Sequence, residues 1–137
     1  MRLVVDSSVV LKWFVDEPLR EAAAAILDGD DVLIAPDFVL AEVTNALWRK
    51  ARRGEVEPLQ ITRAIREMHS LLVLRPITAD LTQSAFQIAL ELEHSIYDCL
   101  FLACAEEEKA DLVTADMKFV AKLAGRKTGA HTRMLAS

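Results

Sequence analysis

A chain of 137 residues is long enough for one domain and leaves little room for a second, so we expect a single domain over residues 1–137. With 53% hydrophobic and 27% charged residues, the composition is that of a packed globule and excludes disordered and low-complexity classes. Sixteen lysines and arginines against twenty-one aspartates and glutamates give a net charge of -5, which argues against proteins that coat nucleic acid or bind membranes through basic clusters.

Short β-branched runs alternate with helical patterns along the whole chain. In chain order the predicted elements are a strand Leu3–Val5, a helix Ser7–Phe14, a helix from Pro18 to Leu27, a strand Val32–Ala35, a helix capped by Asp37 that runs to about Arg53, a helix from Glu57-Pro58 to about Leu71, a strand Leu72–Arg75, a helix capped by Thr78 that ends at Glu93, a helix capped by Ser95 that ends at about Glu108, a strand Leu112–Thr114, a helix from about Asp116 to Ala124, and an edge strand His131–Leu135.

Strands separated by helices favour parallel pairing through right-handed crossovers. The order therefore predicts an α/β domain with a central parallel sheet of four to five strands and helices on both faces. In such sheets ligands bind beyond the carboxyl ends of the strands, where the strand order reverses. Polar residues directly after each strand are the first candidates for a functional site.

Cysteine use and hydropathy favour a cytoplasmic protein without a membrane anchor. Cys99 and Cys104 are the only cysteines and lie five apart in one apolar stretch, which makes a disulfide framework improbable. The longest apolar run, Cys99–Ala105, is far shorter than the roughly 20 residues of a membrane span. No signal peptide is expected, because charged residues interrupt the N-terminal apolar stretch.

Two aspartates follow predicted strands and can serve either a cap or a site. Asp6 comes directly after the first strand, and Asp116 lies two residues after the fourth. If these strands are neighbours, both carboxylates project from the same edge of the sheet. Aspartate is also among the preferred N-cap residues of helices, so each residue alone is equally well explained as a cap.

Two further acids lie on helices that are otherwise apolar. Asp98 is the only charged residue in Ile96–Ala105, and burying its carboxylate is costly unless a cation or donor compensates it. Glu42 shares a polar helix stripe with Asn45 and Arg49. Each acid also has a purely structural explanation. Asp98 can be explained as a first-turn aspartate stabilised by the helix dipole, and Glu42 as a glutamate that is solvated or paired with Arg49.

Four carboxylates at element starts indicate a metal centre more than four separate caps. Neighbouring carboxylates cannot all stay ionised without a compensating charge, and Mg²⁺ or Mn²⁺ accepts oxygen ligands from carboxylates, waters and phosphates. The three histidines are too widely spaced for a zinc pattern: His69, His94 and His131. A site of this kind best serves the hydrolysis of phosphodiesters.

The ordered acids lie in segments that resemble a known family over essentially the whole chain. The sequence resembles PIN-domain ribonucleases, and specifically the VapC-type toxins of type II toxin–antitoxin pairs. The segments that carry the resemblance are Val4-Val5-Asp6-Ser7-Ser8-Val9-Val10, Ala41-Glu42-Val43-Thr44-Asn45-Ala46-Leu47, Tyr97-Asp98-Cys99-Leu100-Phe101-Leu102-Ala103 and Val113-Thr114-Ala115-Asp116. Each segment alone is weak support, whereas the ordered set is strong.

The resemblance implies a role for each matched residue. Asp6 matches a direct metal ligand and Asp98 the acid that opens a later helix, while Glu42 and Asp116 match acids that often hold metal through water or support a second ion. The supporting positions are hydroxyls at Ser8 and Thr114 and a polar neighbour of the glutamate at Asn45. The resemblance implies a metal-dependent endoribonuclease that uses Mg²⁺ or Mn²⁺, forms a homodimer and binds a cognate antitoxin.

Basic residues are concentrated where an RNA backbone could bind. Arg49 and Lys50 open a basic run at the end of the helix that carries Glu42, and Lys118 and Lys122 follow the last acid, Asp116. Phosphate contacts are the functional interpretation of these residues, and complementarity to the helix dipole is the structural one. We expect the larger aromatic side chains to be core or interface residues rather than base-stacking platforms: Trp13, Phe14 and Trp48.

Three alternatives remain at this stage. A haloacid-dehalogenase-like phosphatase needs a second aspartate two positions after Asp6, where this chain has Ser8. A receiver-type phosphoacceptor module needs an aspartate after the third strand, where Arg75-Pro76-Ile77 stands. A PIN-fold RNA-binding or regulatory protein without nuclease activity is opposed by the presence of all four acids.

Overall fold

The computed structural model describes residues 1–136 and contains a single five-stranded sheet with seven helices around it. The strands are β1 (Arg2–Val5), β2 (Val32–Pro36), β3 (Val73–Arg75), β4 (Asp111–Thr114) and β5 (Thr132–Met134). The helices are α1 (Ser7–Leu11), α2 (Arg20–Leu27), α3 (Val39–Arg52), α4 (Pro58–Leu71), α5 (Ala79–Leu92), α6 (Ile96–Glu108) and α7 (Met117–Leu123). Within the described residues, no helix is long and apolar enough to cross a membrane.

All five strands are parallel, in the order β3-β2-β1-β4-β5. The chain moves outward from β1 through β2 to β3, and then crosses back to β4 on the other side of β1. Right-handed crossovers therefore place α1 to α4 on one face of the sheet and α5 to α7 on the other. The strand order reverses between β1 and β4, and this is the point where α/β sheets bind ligands.

The core explains why these sequences form these elements. The central strands are buried on both faces, which suits their continuous β-branched and aliphatic residues. Helix α6 packs against β1, β2 and β4, and every residue from Cys99 to Ala105 is buried. Its apolar circumference is that of a helix enclosed by the protein.

The predicted architecture is confirmed, including the edge strand at the C-terminus, which forms over Thr132–Met134 beside β4. Some element starts differ from the sequence-based expectation. Helix α3 is not capped by the Asp37 side chain, because Phe38 occupies the N-cap position and the Asp37 backbone N–H donates to the Arg75 carbonyl (2.8 Å). Asp37 thus belongs to the junction between β2 and β3. Leu72 closes α4 through its N–H instead of opening β3.

The first two helices are shorter than predicted. Helix α1 ends at Leu11, and the chain continues to Phe14 in i to i−3 turns of 3₁₀ type. Helix α2 begins at Arg20 rather than Pro18, because Leu19 takes a left-handed conformation (φ 69°) at the N-cap. Thr78 caps α5 as predicted, whereas Ser95 occupies the N-cap of α6 without a side-chain hydrogen bond.

Candidate active site

Asp6 lies at the carboxyl end of β1, where the strand order reverses, and its side chain is almost completely buried. It caps α1 by accepting a hydrogen bond from the Val9 N–H at Oδ1 (3.2 Å), so the structural role considered for it is real. Burial raises the pKa of Asp6 from 3.8 to about 6, and the charge of Asp98 adds to this, against the hydrogen bonds that favour the ionised form. A cap alone gives no reason to bury a carboxylate next to a second one.

Two hydrogen-bond relays, each running from a backbone N–H through a side-chain hydroxyl, connect the Asp6 carboxylate to the end of neighbouring β4. The Ala115 N–H donates to Ser8 Oγ (2.9 Å), and Ser8 Oγ donates to Asp6 Oδ1 (2.5 Å). In parallel, the Asp116 N–H donates to Thr114 Oγ1 (3.1 Å), which donates to Asp6 Oδ2. Because each hydroxyl accepts from a backbone amide, its single proton is directed at the carboxylate. Ser8 and Thr114 therefore touch Asp6 as predicted, and they fix its orientation.

The hydrogen bonds to Asp6 leave part of its carboxylate open to a ligand. A carboxylate has about four lone-pair sites. Oδ1 receives two donors, from Ser8 and Val9, and Oδ2 receives one, from Thr114. The remaining site of Asp6 is on Oδ2, the oxygen that faces the β4 side.

Glu42 lies in the first turn of α3 and accepts a hydrogen bond at Oε1 from Ser7 Oγ (2.6 Å). Burial raises its pKa, the Ser7 hydrogen bond lowers it, and the charge of Asp98 raises it. Its second oxygen, Oε2, carries no such donor among the described side chains. Sequence reasoning did not assign Ser7 a role, although its position directly after Asp6, at the start of α1, was a usable signal.

Asp98 connects the other two acids, because its charge raises the pKa of both Asp6 and Glu42. Its Oδ2 is 2.5 Å from Nε2 of His94, which lies four residues earlier, in the loop before α6. The His94 ring in turn packs against Phe119 at 4.9 Å between ring centroids. Sequence reasoning considered His94 only as a zinc ligand and missed this pairing, which the four-residue spacing could have suggested.

Asp116 lies at the same sheet edge, but its carboxylate is engaged differently. It caps α7 by accepting a hydrogen bond from the Phe119 N–H (3.1 Å), while its own N–H feeds the Thr114 relay. Asn45 is exposed on α3, one turn beyond Glu42. The structure thus brings Asp6, Glu42 and Asp98 into one electrostatic cluster and leaves Asp116 beside it as a cap.

The predicted basic residues divide into paired and open ones. Lys50 Nζ lies 3.9 Å from a Glu17 carboxylate oxygen and 3.8 Å from one of Glu55. Lys122 Nζ donates to the Glu93 carbonyl (3.0 Å). Lys118 is exposed on α7, and Arg49 lines an open cavity of about 280 Å³ on α3. Of the four, Arg49 and Lys118 present their charges most directly to solvent.

Comparison with known proteins identifies the family to which this arrangement belongs. The PIN domain family model matches residues 3–124. Ribonuclease VapC3 of Pyrobaculum aerophilum is 29% identical over 124 residues, which cover 89% of this chain and 95% of that protein. A VapC ribonuclease of Mycobacterium bovis is 30% identical over 116 residues, covering 85% of this chain and 87% of that protein.

The chain belongs to the PIN-domain family. Within it, the chain is of the VapC nuclease type, as the relatives over most of its length are. A solved toxin–antitoxin complex from Klebsiella pneumoniae contains a chain with the same fold, at a TM-score of 0.70, 15% identity and 98% coverage of each chain. This membership removes the phosphatase and receiver-module alternatives.

The residues of this PIN domain fit a hard divalent cation. Within residues 1–136, no three or more His, Cys, Asp or Glu side chains are grouped so that they could hold a metal ion by themselves. Mg²⁺ does not need such a cage, since proteins bind it through one or two carboxylates while waters and substrate phosphates complete its shell. The open site on Asp6 Oδ2 and the repulsion among Asp6, Glu42 and Asp98 match that requirement.

The relay to Asp6 Oδ2 can be tested by removing its hydroxyl. Replacing Thr114 by valine keeps the side-chain shape and deletes a donor that lowers the pKa of Asp6. We expect the pKa of Asp6 to rise by about 1 from its value of about 6. A ¹³C NMR titration of the side-chain carboxyl measures this rise. In the control Ser7→Ala, the pKa of Glu42 rises instead. An unchanged Asp6 titration in Thr114→Val would contradict the relay.

Proposed function

We propose that the chain is a Mg²⁺- or Mn²⁺-dependent endoribonuclease and the toxin of a type II toxin–antitoxin pair. The observation that carries the proposal is the coupling of three carboxylates where the strand order reverses: Asp98 raises the pKa of Asp6 and of Glu42. A group of carboxylates in which Asp98 repels both Asp6 and Glu42 is suited to a divalent cation and a phosphodiester. The ribonuclease names of the VapC relatives support RNA as the substrate.

In the proposed mechanism Asp6 and Asp98 would hold the cation, and Glu42 and Asp116 would support it. When bound, the cation neutralises charge on the phosphate and makes water a stronger nucleophile. The Ser8 and Thr114 relays keep the Asp6 oxygens in fixed positions, so little reorganisation is required on binding. Glu42 Oε2 is free to accept the proton of the attacking water, and its raised pKa makes it a better acceptor.

The remaining partners of the proposal are a cognate antitoxin and a second copy of the chain. The structural likeness to a toxin–antitoxin complex supports the antitoxin. Exposed apolar side chains one turn apart on α5, Phe86 (47% exposed) and Leu90 (59%), support a homodimer. A cytoplasmic location is supported by the two cysteines, which are buried free thiols, as expected for a reducing compartment.

Cleavage of a circular single-stranded RNA tests the proposal directly. A circle has no ends, so conversion to a linear product requires an endonuclease. We expect linear product with Mg²⁺ or Mn²⁺ and none after the metal is removed with EDTA, with activity restored on adding Mn²⁺ back. Linear product that forms at the same rate in EDTA would contradict metal dependence. Binding of the circle without cleavage in either metal would favour a PIN-fold RNA-binding protein.

A further inference from the structure

The C-terminal half of α3 carries an aromatic side chain in a basic surface. The Trp48 side chain is 50% exposed, so of the two positions expected from the sequence, core or interface, it does not occupy the core. The Arg52 guanidinium lies 5.2 Å from the centre of the Trp48 ring. Arg49, Arg52 and Arg53 together line the open cavity of about 280 Å³. We call Trp48, Arg49 and Arg52 the Trp48 patch.

The basic side chains at this end of α3, in the patch and beside it, differ in whether they are already paired with carboxylates. Arg53 makes two hydrogen bonds to the Glu55 carboxylate (3.1 and 3.2 Å), and Lys50 is shared between Glu17 and Glu55. Among residues 1–136, no carboxylate lies within ion-pair distance of Arg49 or Arg52. These two guanidinium groups are available to an anionic ligand.

The patch continues from the acidic cluster along the same helix. A residue of an α-helix is displaced by about 100° and 1.5 Å from the one before it. Arg49 therefore lies almost directly in line with Glu42, about 10 Å further along α3, and Arg52 and Trp48 lie on one side of that line. Exposed Asn45 fills the turn between them. A strand bound at the acids and following α3 reaches these side chains within two helical turns.

We propose that the Trp48 patch is a docking site for the single-stranded RNA substrate, in which one base stacks on the open face of Trp48 while Arg49 and Arg52 bind phosphates. The proposal rests on the proposed ribonuclease function and adds the residues that hold RNA outside the cleavage site. An exposed aromatic ring beside basic side chains is the arrangement that binds single strands without sequence preference. An acidic peptide would use the arginines but has no group that requires the indole face.

Fluorescence titration in EDTA measures this binding without cleavage. The probe is a 12-nucleotide single-stranded RNA of mixed sequence, and the readouts are tryptophan emission and Kd. The other tryptophan, Trp13, is half-buried and donates its indole N–H to the Ala23 carbonyl (3.0 Å), so we expect it to respond little. We expect RNA to quench the wild-type emission, and Trp48→Leu to abolish the quenching and weaken binding about fivefold or more. Trp48→Phe, which keeps an aromatic face, is expected to restore most of the affinity.

A second set of measurements separates stacking from charge. Wild type and Trp48→Leu are expected to bind an abasic oligonucleotide of the same length equally, because without a base there is nothing to stack on the indole. Arg49→Ala combined with Arg52→Ala is expected to reduce the slope of log K against log salt by about 1.4. The control Lys109→Asn removes one cation at the far end of α6, at a left-handed position (φ 54°) that asparagine tolerates, and should change neither quantity.

Each failure points to a different error. If Trp48→Leu leaves RNA affinity unchanged, or changes only the oligomeric state or the binding of a poly-glutamate peptide, the docking proposal is wrong. If the wild type cleaves circular RNA with Mg²⁺ while Trp48→Leu binds RNA normally, the ribonuclease function is supported and the docking proposal is contradicted. If the chain binds RNA through Trp48 but never cleaves it, the docking proposal is supported and the proposed function is contradicted.

Discussion

Replacing Asp6 by asparagine is expected to lower the rate of RNA cleavage by about 10³-fold or more in saturating Mn²⁺. Asparagine has the same size, but it lacks the charge that attracts the cation, and its amide nitrogen cannot accept the hydrogen bonds that a carboxylate oxygen accepts. Cleavage is measured as first-order linearisation of circular RNA with enzyme in excess. Asp6 is held in place by three hydrogen bonds, so we expect its replacement to have the largest effect among the acids.

A matched variant separates loss of chemistry from loss of folding. Asp111 lies at the opposite end of β4, where its carboxylate pairs with Arg133 at 3.4 Å. Asp111→Asn removes one carboxylate from the same sheet and is expected to keep the wild-type rate within a few-fold. Both variants should give the circular-dichroism spectrum of the wild type. A rate for Asp6→Asn within tenfold of wild type would contradict the assignment of Asp6.

The second large effect is a loss of stability as pH rises in the metal-free protein. Asp6 has a pKa of about 6 when folded and 3.8 ordinarily, so between these values the native state binds more protons than the unfolded state. The free energy of unfolding then falls with rising pH, and about 3 kcal/mol is lost by pH 7 through this group. Below about pH 3 the Asp6 contribution is almost fully retained.

Urea unfolding of wild type and Asp6→Asn isolates this contribution. The variant loses the titrating group, so the pH dependence of the difference in free energy of unfolding belongs to Asp6. We expect wild type to lose about 2 kcal/mol relative to Asp6→Asn between pH 4 and pH 7 in EDTA. A difference that does not change with pH would contradict the burial and repulsion assigned to this carboxylate.

Asp98→Asn removes part of the same repulsion and keeps a hydrogen-bond acceptor for His94. It is expected to raise the apo stability by about 1 kcal/mol at pH 7, because the Asp98 charge raises the pKa of both Asp6 and Glu42. That corresponds to a higher thermal midpoint by about 3–5 °C. Unchanged or lower stability in EDTA would mean that the three carboxylates do not repel one another as described.

The role of a residue could be predicted from the sequence where it depends on the residues next to it in the chain. Asp6 and Asp116 follow buried β-branched runs, so their position at the sheet edge followed from strand ends alone, and both proved to be caps as well. The isolated charge of Asp98 in an apolar helix marked it in the same way. The parallel pairing of the strands followed from their alternation with helices, whereas their order in the sheet did not.

Tertiary partners could not be predicted in this way. Ser7 and Glu42 are 35 residues apart and meet only because α1 packs on α3. The His94 pairing depends on the loop before α6, and the exposure of Trp48 depends on which side of α3 the sheet covers. The Asp37 cap failed because a backbone bond to β3 recruited that residue into the sheet edge. Such competition between local and long-range hydrogen bonds is invisible in one segment.

Anomalous diffraction from crystals grown with Mn²⁺ tests the metal site most directly. The single open lone-pair site on Asp6 is on Oδ2, and the charges of Asp98 and Glu42 converge on this carboxylate. We predict an anomalous peak beside Asp6 Oδ2, and its absence from Asp6→Asn crystals grown in the same way. A wild-type crystal at saturating Mn²⁺ with no peak at Asp6, in a preparation that cleaves circular RNA, would contradict the site.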